Sequence, residues 1–550
     1  MSEPGVVLYG PDSKPIAPRQ SRARALSGGN GRYSGPPYDA ADQYGQHMAA
    51  WQPYLWSADG ELNMYRDRIV SRVRDMVRND GWASGAVTRI LDNAVGSNLR
   101  PIARPDHRFL ANFADNPAFD HIWAKEYSNA VDANWRTWAV TDLGRYCDAT
   151  RNQTFGQMMR VAFRHKLIDG DALAVMQWIP DRVSRGRARY CTAVQLVDPD
   201  RLSNPQLRFD DMTNRGGVEI DRFGAAVAYH IRKAHAGDWF SAAESVTWER
   251  VARETSWGRP IVVHDYEGDR ASQHRGGAGI FTPVLQRLKM LVKYDGVELD
   301  ASIINAIFAA YVESPFDHDM MAEALEDNEK LPFYQDQRKE FHNEKSLMLG
   351  NARLPMLYPG EKINSVAANR PTGNFKEFEA AVLRNVAAGT GLSAQQVSNN
   401  WSDVNYSSAR GALLEAWKTL YRRRHDFSEG FAAPVRAAWL EESHEVDDLP
   451  LPRNAPDFAL CRGAYARCRW MGPGKGWISP TEEAGAAIMR MDGALSTLED
   501  ECAEQGLEFE EVLEQRRYEI GLFKEYGIPV PEWAGQFFTA SQAKQKPEAQ

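Results

Sequence analysis

Asp169 and Asp171 flank Gly170 just ahead of a β-forming run, and two carboxylates at that spacing could ligate a metal or divide acid and base roles. A helix-ending turn explains the same residues more simply, because glycine adopts the left-handed conformation that closes a helix. His264 and Asp265 end an apolar run, where a core histidine with satisfied hydrogen bonds is commoner than a reactive one. Ser443-His444-Glu445-Val446-Asp447-Asp448 sets a histidine near carboxylates but has no second histidine four residues on, so it reads as a solvated loop. Gly472-Pro473-Gly474-Lys475-Gly476 lacks both the spacing and the hydroxyl of a phosphate-cradling loop, which leaves a turn and predicts no ATPase activity. Gly31-Arg32-Tyr33-Ser34-Gly35 displaces its serine by one position from a nucleophile elbow, and no strand precedes it. Aromatic and carboxylate abundance keeps a hydrolase of carbohydrate or nucleic acid open as the alternative. No group of residues fixes a reaction geometry, so the sequence predicts no catalytic residue, no metal and no cofactor.

Positive charge gathers at Lys418, Arg422, Arg423 and Arg424, on a helical pattern carrying Leu413, Leu414, Trp417 and Leu420. Such a cluster either closes a helix, where cations complement the dipole, or offers a surface to phosphates. The whole chain carries a net charge of −9, unevenly placed. From Glu441 to Gln550 there are 11 Lys plus Arg against 21 Asp plus Glu, so the preceding residues are close to neutral. Tight nucleic-acid binding draws on a basic surface that releases counterions. This balance therefore excludes a chain built to hold DNA tightly, but not one past which DNA slides.

The 550 residues allow three or four domains at about 150 residues each. An apolar content of 43% and a charged content of 25% are those of a folded protein. The five cysteines, widely spaced and odd in number, argue for reduced thiols rather than a disulfide framework or zinc site. No apolar run approaches the roughly 20 residues that cross a bilayer, and no secretion signal is expected at the N-terminus.

Residues 1–53 read as an arm rich in Gly, Pro, Ser and Arg. Helical periodicity follows over Glu61–Asn79, where Ile69, Val73, Met76 and Val77 form one face and Arg66, Arg68, Arg72, Arg74 and Arg78 occupy the rest. Further helices are predicted over Trp82–Val95, Pro117–Trp138 and Thr154–Ile168. Short β-rich runs at Asp171–Ile179, Ala188–Val197, Gly217–Asp221, Ala225–Lys233 and Pro260–Asp265 predict an antiparallel sheet or barrel. Pro283–Glu313 then predicts a helix of ~45 Å, long enough to be a strut. A mixed insert at Ser314–Asn369 includes a candidate strand within Lys345–Leu357. Phe375–Ala388 is helical, Ser393–Tyr406 is a polar loop, and Ser408–Arg424, Phe427–Glu442, Ser479–Glu504 and Glu508–Tyr526 complete a helical, acidic C-terminal part.

Several stretches together resemble the lambda family of phage portal proteins. Asn405-Tyr406-Ser407-Ser408-Ala409-Arg410-Gly411 is the sharpest, after Tyr358-Pro359-Gly360-Glu361 and Arg370-Pro371-Thr372-Gly373. Arg270, Gln273, Arg275 and Gly276 match the family's RxxQxRG turn ahead of its long helix, and Trp477-Ile478-Ser479-Pro480 resembles its W-[VI]-[DS]-P segment. Thr481 stands where the family usually has Lys. The resemblance spans about Tyr54 to Tyr526, in collinear order. It implies an α+β portal fold with wing (54–281), stem (282–313 and 372–392), clip (314–371), wing or crown base (407–442) and acidic helical crown (443–533), assembled as a ring, usually of twelve. It also implies double-stranded DNA in transit, docking of the terminase large subunit and head completion proteins, contact with capsid or scaffolding protein, and a place at one capsid vertex after assembly in the host cytoplasm. Residues 393–406 become the candidate tunnel loop. Gln395, Gln396, Asn399, Asn400, Trp401, Asn405 and Tyr406 suit weak contacts that do not trap a moving duplex.

Overall fold

A computed structural model describes residues 50–97, 99–277, 279–307, 311–313, 336–337, 339–341, 346–349, 352–355, 362–364, 375–402, 406–476 and 479–529. The chain divides into two compact units, Met1–Trp56 and Ser57–Gln550. In the first, Trp51, Tyr54 and Leu55 are exposed, and the rings of Tyr54 and Trp56 lie 6.1 Å apart.

The second unit opens with α1 (Ala58–Leu62), α2 (Arg66–Asn79) and α3 (Gly81–Ala94). The single helix expected over Glu61–Asn79 is thus two, and the Asp80 carboxylate caps α3 by accepting from Ala83 N at 2.7 Å. Strand β1 (Arg100–Ala103) leads to α4 (His107–Ala114), α5 (His121–Arg136) and α6 (Phe155–Asp169). A capping box between Thr154 and Gln157 starts α6. The β-rich region resolves into two sheets. β2 (Asp171–Trp178) lies between β3 (Thr192–Val197) and β8 (Val262–Tyr266), all antiparallel. A four-stranded meander joins β4 (Asn214–Arg215), β5 (Val218–Ile220), β6 (Ala226–Arg232) and β7 (Trp248–Ala252).

The strut expected over Pro283–Glu313 ends sooner. Helix α7 runs Leu285–Ile307, and Tyr311–Glu313 is strand β9, paired with β12 (Lys362–Asn364). At 23 residues α7 spans about 35 Å. The candidate strand within Lys345–Leu357 is a hairpin of β10 (Ser346–Leu349) and β11 (Ala352–Pro355). Helix α8 (Phe375–Thr390) returns beside α7, with Tyr294 5.5 Å from Phe375 and 5.1 Å from Phe378, ring to ring. Then come α9 (Ala394–Ser398), α10 (Tyr406–Phe427) and α11 (Ala433–Val446), the last two joined by a π-helical turn at Ser428–Ala432. β13 (Cys468–Met471) pairs with β1, a contact across more than 360 residues that no local pattern announces. Three helices, α12 (Pro480–Asp492), α13 (Leu498–Glu504) and α14 (Phe509–Glu525), follow. No described helix is long and apolar enough to cross a membrane.

One large core holds α2 to α11 together. Trp439 on α11 is fully buried, with Trp135 and Trp138 rings 5.0 and 5.8 Å away. Glu442, one turn further on, accepts from Cys191 N and Thr192 N at 2.6 and 2.8 Å, fastening α11 to β3. His444, expected in a solvated loop, is instead on α11 and sits 2.7 Å from Tyr127 Oη. Burial disfavours its charged form and pushes its pKa down to about 4.

The folded ring therefore resists protonation more than the unfolded one. The stability it contributes is present above about pH 6.5 and is lost as pH falls toward 4. Acidification from pH 7 to 4.5 should cost on the order of 2–3 kcal/mol here, and His444→Gln should flatten that part of a urea-midpoint profile. An identical profile in the variant would assign the loss to other groups.

Candidate functional site

The residues weighed as an acid–base or metal pair are the hub of a buried ion cluster. Gly170 closes α6 in the left-handed region, at φ 88°, which turns the chain directly into β2. Asp171 at the head of β2 is wholly buried. Its Oδ2 accepts from Arg66 Nη2 at 3.0 Å and Arg275 Nε at 2.9 Å, and its Oδ1 from the Gly276 amide. His264 Nε2 lies 3.1 Å from the same Oδ1. Burial alone would raise the Asp171 pKa, but the Arg275 and Arg66 guanidiniums and the His264 imidazole hold it far below the carboxylate range. Stability from this carboxylate is present above its unfolded pKa of about 3.9 and is lost only as pH falls well below that.

Arg275 does more than pair with a charge. Its fork also donates to the carbonyls of Leu202 at 2.7 Å and Pro199 at 3.1 Å, and to that of Gly216, joining both sheets to the turn that precedes α7. A lysine has neither the fork nor enough donors for this task. Gln273 sets the turn from within, accepting from Asp269 N at 3.0 Å and donating to Arg275 O at 2.7 Å. A Cβ on Gly276 would fall 2.0 Å from the Gly170 carbonyl oxygen, so only glycine fits there. Arg270, the remaining residue of this motif, makes an exposed ion pair with Glu61 at 2.7 Å.

The neighbouring carboxylates are likewise engaged. Asp169 is held by Arg74 at 2.7 Å and His165 at 2.6 Å, and Asp265 by Lys166 at 2.7 Å. Asp198, Asp200 and His235 converge closely enough to ligate a cation. Arg74 already donates to both carboxylates, at 3.1 and 2.7 Å, filling that role with a guanidinium. Arg66 and Arg74, read from sequence as part of a polar face, were the functional residues missed. Arg66, Val70, Val73 and Val77 follow one helical stripe, and that placement was the available signal.

The polar stretch over 393–406 is only partly loop. Ser393 and Gln396 form a capping box that starts α9, and Val397 is buried, so Gln396 serves the fold rather than a ligand. Gln395 lies half-buried on the same turn. Asn399 ends α9 at φ 57°, Asn400 accepts from Ser402 Oγ at 2.7 Å, and both side chains are exposed beside Trp401. Asn405 lies outside the described residues, as do Gly360, Glu361, Arg370 and Pro371. Tyr406 begins α10, with Ser407, Ser408 and Arg410 exposed on its first turns.

The basic cluster departs from a phosphate-facing surface. Arg424 is buried and donates to the carbonyls of Ala94 at 2.7 Å, and of Asn93 and Pro473 at 2.8 Å. Arg423 donates to Thr390 O at 2.9 Å. Arg422 pairs with Glu267 and Asp426, and Lys418 with Glu415. Arg423 and Arg424 thus close α10 onto its neighbours, whereas Arg422 and Lys418 stay exposed in surface ion pairs.

Residues 44–424 match the family model described as phage portal protein, lambda family, and the chain belongs to that family. It is 31% identical to the portal protein of Escherichia phage N15 over 553 aligned positions, covering 99% of this chain and 98% of that one. It is 30% identical to portal protein B of Escherichia phage lambda, covering 96% and 95% of the two chains. A probable portal protein of Halomonas phage phiHAP-1 is 22% identical over 88% of this chain and 86% of its own. Among solved structures, a chain from the virion of a native gene transfer agent particle superposes with a TM-score of 0.37 at 14% identity, over 77% of this chain and 99% of that one.

Within the RxxQxRG turn, burial separates two kinds of arginine. Arg275→Lys should lower unfolding stability by roughly 2–4 kcal/mol, since it strips donors from buried acceptors. Arg270→Ala should change it by less than about 1 kcal/mol. Urea midpoints of the two variants check this, and equal losses would remove the special role of Arg275.

Proposed function

We propose that this chain is the repeating subunit of a portal ring through which double-stranded DNA enters and leaves a phage head. One observation beyond family membership carries the ring reading. Helix α7 buries Leu288 and Leu291, but it leaves Met290 and Val297 exposed on another face, and Leu299 exposed further along. A long helix with an uncovered apolar face needs a neighbour, and a closed ring of identical subunits supplies one at every position.

In that ring α7 and α8 act as stem struts, 314–371 as the clip, 54–281 as the wing and 443–533 as the crown. Asn399, Asn400 and Trp401, exposed between α9 and α10, face the duplex together with Gln395, Asn405 and Tyr406, while Gln396 is set aside for its capping role. Uncharged amides there favour brief contacts over a trap. The ring docks the terminase large subunit and head completion proteins, meets capsid or scaffolding protein during assembly, and sits at one vertex. The role is a conduit rather than a catalyst. The engagement of Asp169, Asp171 and Asp265 by cations supports this, because none is left to exchange protons with a substrate.

Negative-stain imaging of the purified protein should show rings with a central hole. Val297→Asp with Leu299→Asp should abolish the rings while leaving a folded subunit by circular dichroism; persistent rings would move the interface elsewhere. Asn400→Ala with Trp401→Ala should preserve rings and reduce packaged DNA several-fold in a complementation assay, and undiminished packaging would remove this segment from the channel.

A further inference from the structure

The two helices near the C-terminal end of the described chain are attached in an unusual way. Neither α13 nor α14 contributes a single buried side chain. What holds them is a row of carboxylates facing a row of cations. Glu511 accepts from Arg100 at 2.9 Å and Arg136 at 3.1 Å. Glu499 accepts from Arg104 at 3.1 Å and Arg469 at 3.5 Å, while Arg469 also reaches Asp500 at 3.3 Å. Lys125 stands 4.0 Å from Glu510. The cations come from β1 and the residue just beyond it, from α5 and from β13, so separate parts of the chain converge to build one basic face.

The face is not fully covered. A cavity of about 660 Å³ remains between it and the helices, lined by Arg104, His107, His121, Lys125, His425 and Arg467 among others. Ser428, a buried residue of the π-helical turn, and Trp470 also lie along this cavity, and their Oγ and Nε1 atoms are buried without a hydrogen-bond partner among the described residues. Carboxylates of Glu429, Glu499 and Glu510 line the cavity too, so the cations there are already partly neutralised from within the chain. The attachment also has a fixed point. A Cβ on Gly474 would lie 2.5 Å from the Gln505 backbone, and Lys475 N donates to Glu504 O at 2.9 Å. The Gly472–Gly476 turn thus seats the α13–α14 connection by close backbone approach.

We propose that the face formed by Arg100, Arg104, Lys125, Arg136, Arg467 and Arg469 binds the phosphodiester backbone of duplex DNA, and that α13 and α14 cover it as an acidic competitor built into the same chain. Five of the six cations are arginines, whose planar forks match phosphate oxygens. The cover is held by partly exposed ion pairs, which are individually weak and are screened by salt. None of its apolar side chains is fully buried, so a polyanion of higher charge density displaces it while the Gly474 seat retains it nearby. The choice of DNA rests on the portal reading; the existence of a covered anion face does not.

The test compares the full-length protein with a Glu499→Gln, Asp500→Asn, Glu510→Gln, Glu511→Gln variant in binding a fluorescent 20-base-pair duplex of arbitrary sequence by anisotropy at low salt. The variant should bind at least about 10-fold more tightly, and adding Arg100→Ala, Arg104→Ala and Arg469→Ala should erase the gain. Unchanged affinity, or a gain that survives loss of the arginines, would overturn the proposal. A gain for polyglutamate without one for the duplex would overturn the assignment to DNA. Hydrogen exchange on the unmodified protein supplies a measurement that needs no variant. Amides of 498–525 should exchange faster when duplex is added, and no change would count against the proposal. Ring imaging of the same preparations separates a failure here from a failure of the portal reading.

Discussion

Burying Asp171 creates a debt in solvation that the surrounding chain must meet, and the arrangement that meets it organises the subunit. A carboxylate with no exposure is tolerable only where cations and amide donors surround it. Here they come from α2, from β8 and from the turn before α7. Each donor is thereby fixed relative to the others. Because Arg275 also holds carbonyls from the segments leading into the second sheet, both sheets, the first long helix and the start of α7 share one anchor. A long helix that leaves a turn keeps a fixed direction only if the turn cannot slide, and a buried, multiply bonded guanidinium prevents that.

Charge at the surface works under the opposite rule. The pairs joining α13 and α14 to β1, α5 and β13 are partly exposed, so each contributes little and responds to salt. Buried ions fix the turn that precedes α7, whereas partly exposed ions hold the acidic helices near the end of the described chain.

Much of this organisation was legible in the residues. The helical stripes, the β-rich middle and the long helix after the RxxQxRG turn follow from period and composition, and the Gly170 turn from the conformational freedom of glycine. What escaped were the partners across distance. Nothing local to Arg66 says that it turns inward to Asp171, although its place on the Val70–Val73–Val77 stripe hinted at burial. Arg422 to Arg424 left a helix end and a phosphate-facing surface both open, because the carbonyls that Arg424 binds belong to residues 49 and about 330 positions away. The polar run after Ser393 hid a short helix because its capping box uses the same Ser and Gln that would line a loop. The β1–β13 pair joins strands too distant in sequence for any periodicity to connect.

The central claim is that Asp171 fixes the turn from which α7 departs, and hydrogen exchange in an Asp171→Asn variant addresses it most directly. The account predicts a selective loss of amide protection in β8, through the turn at 269–277 and in the first turns of α7, while α5 and α11 keep theirs. Protection unchanged at 269–291, or lost evenly across the subunit, would contradict it.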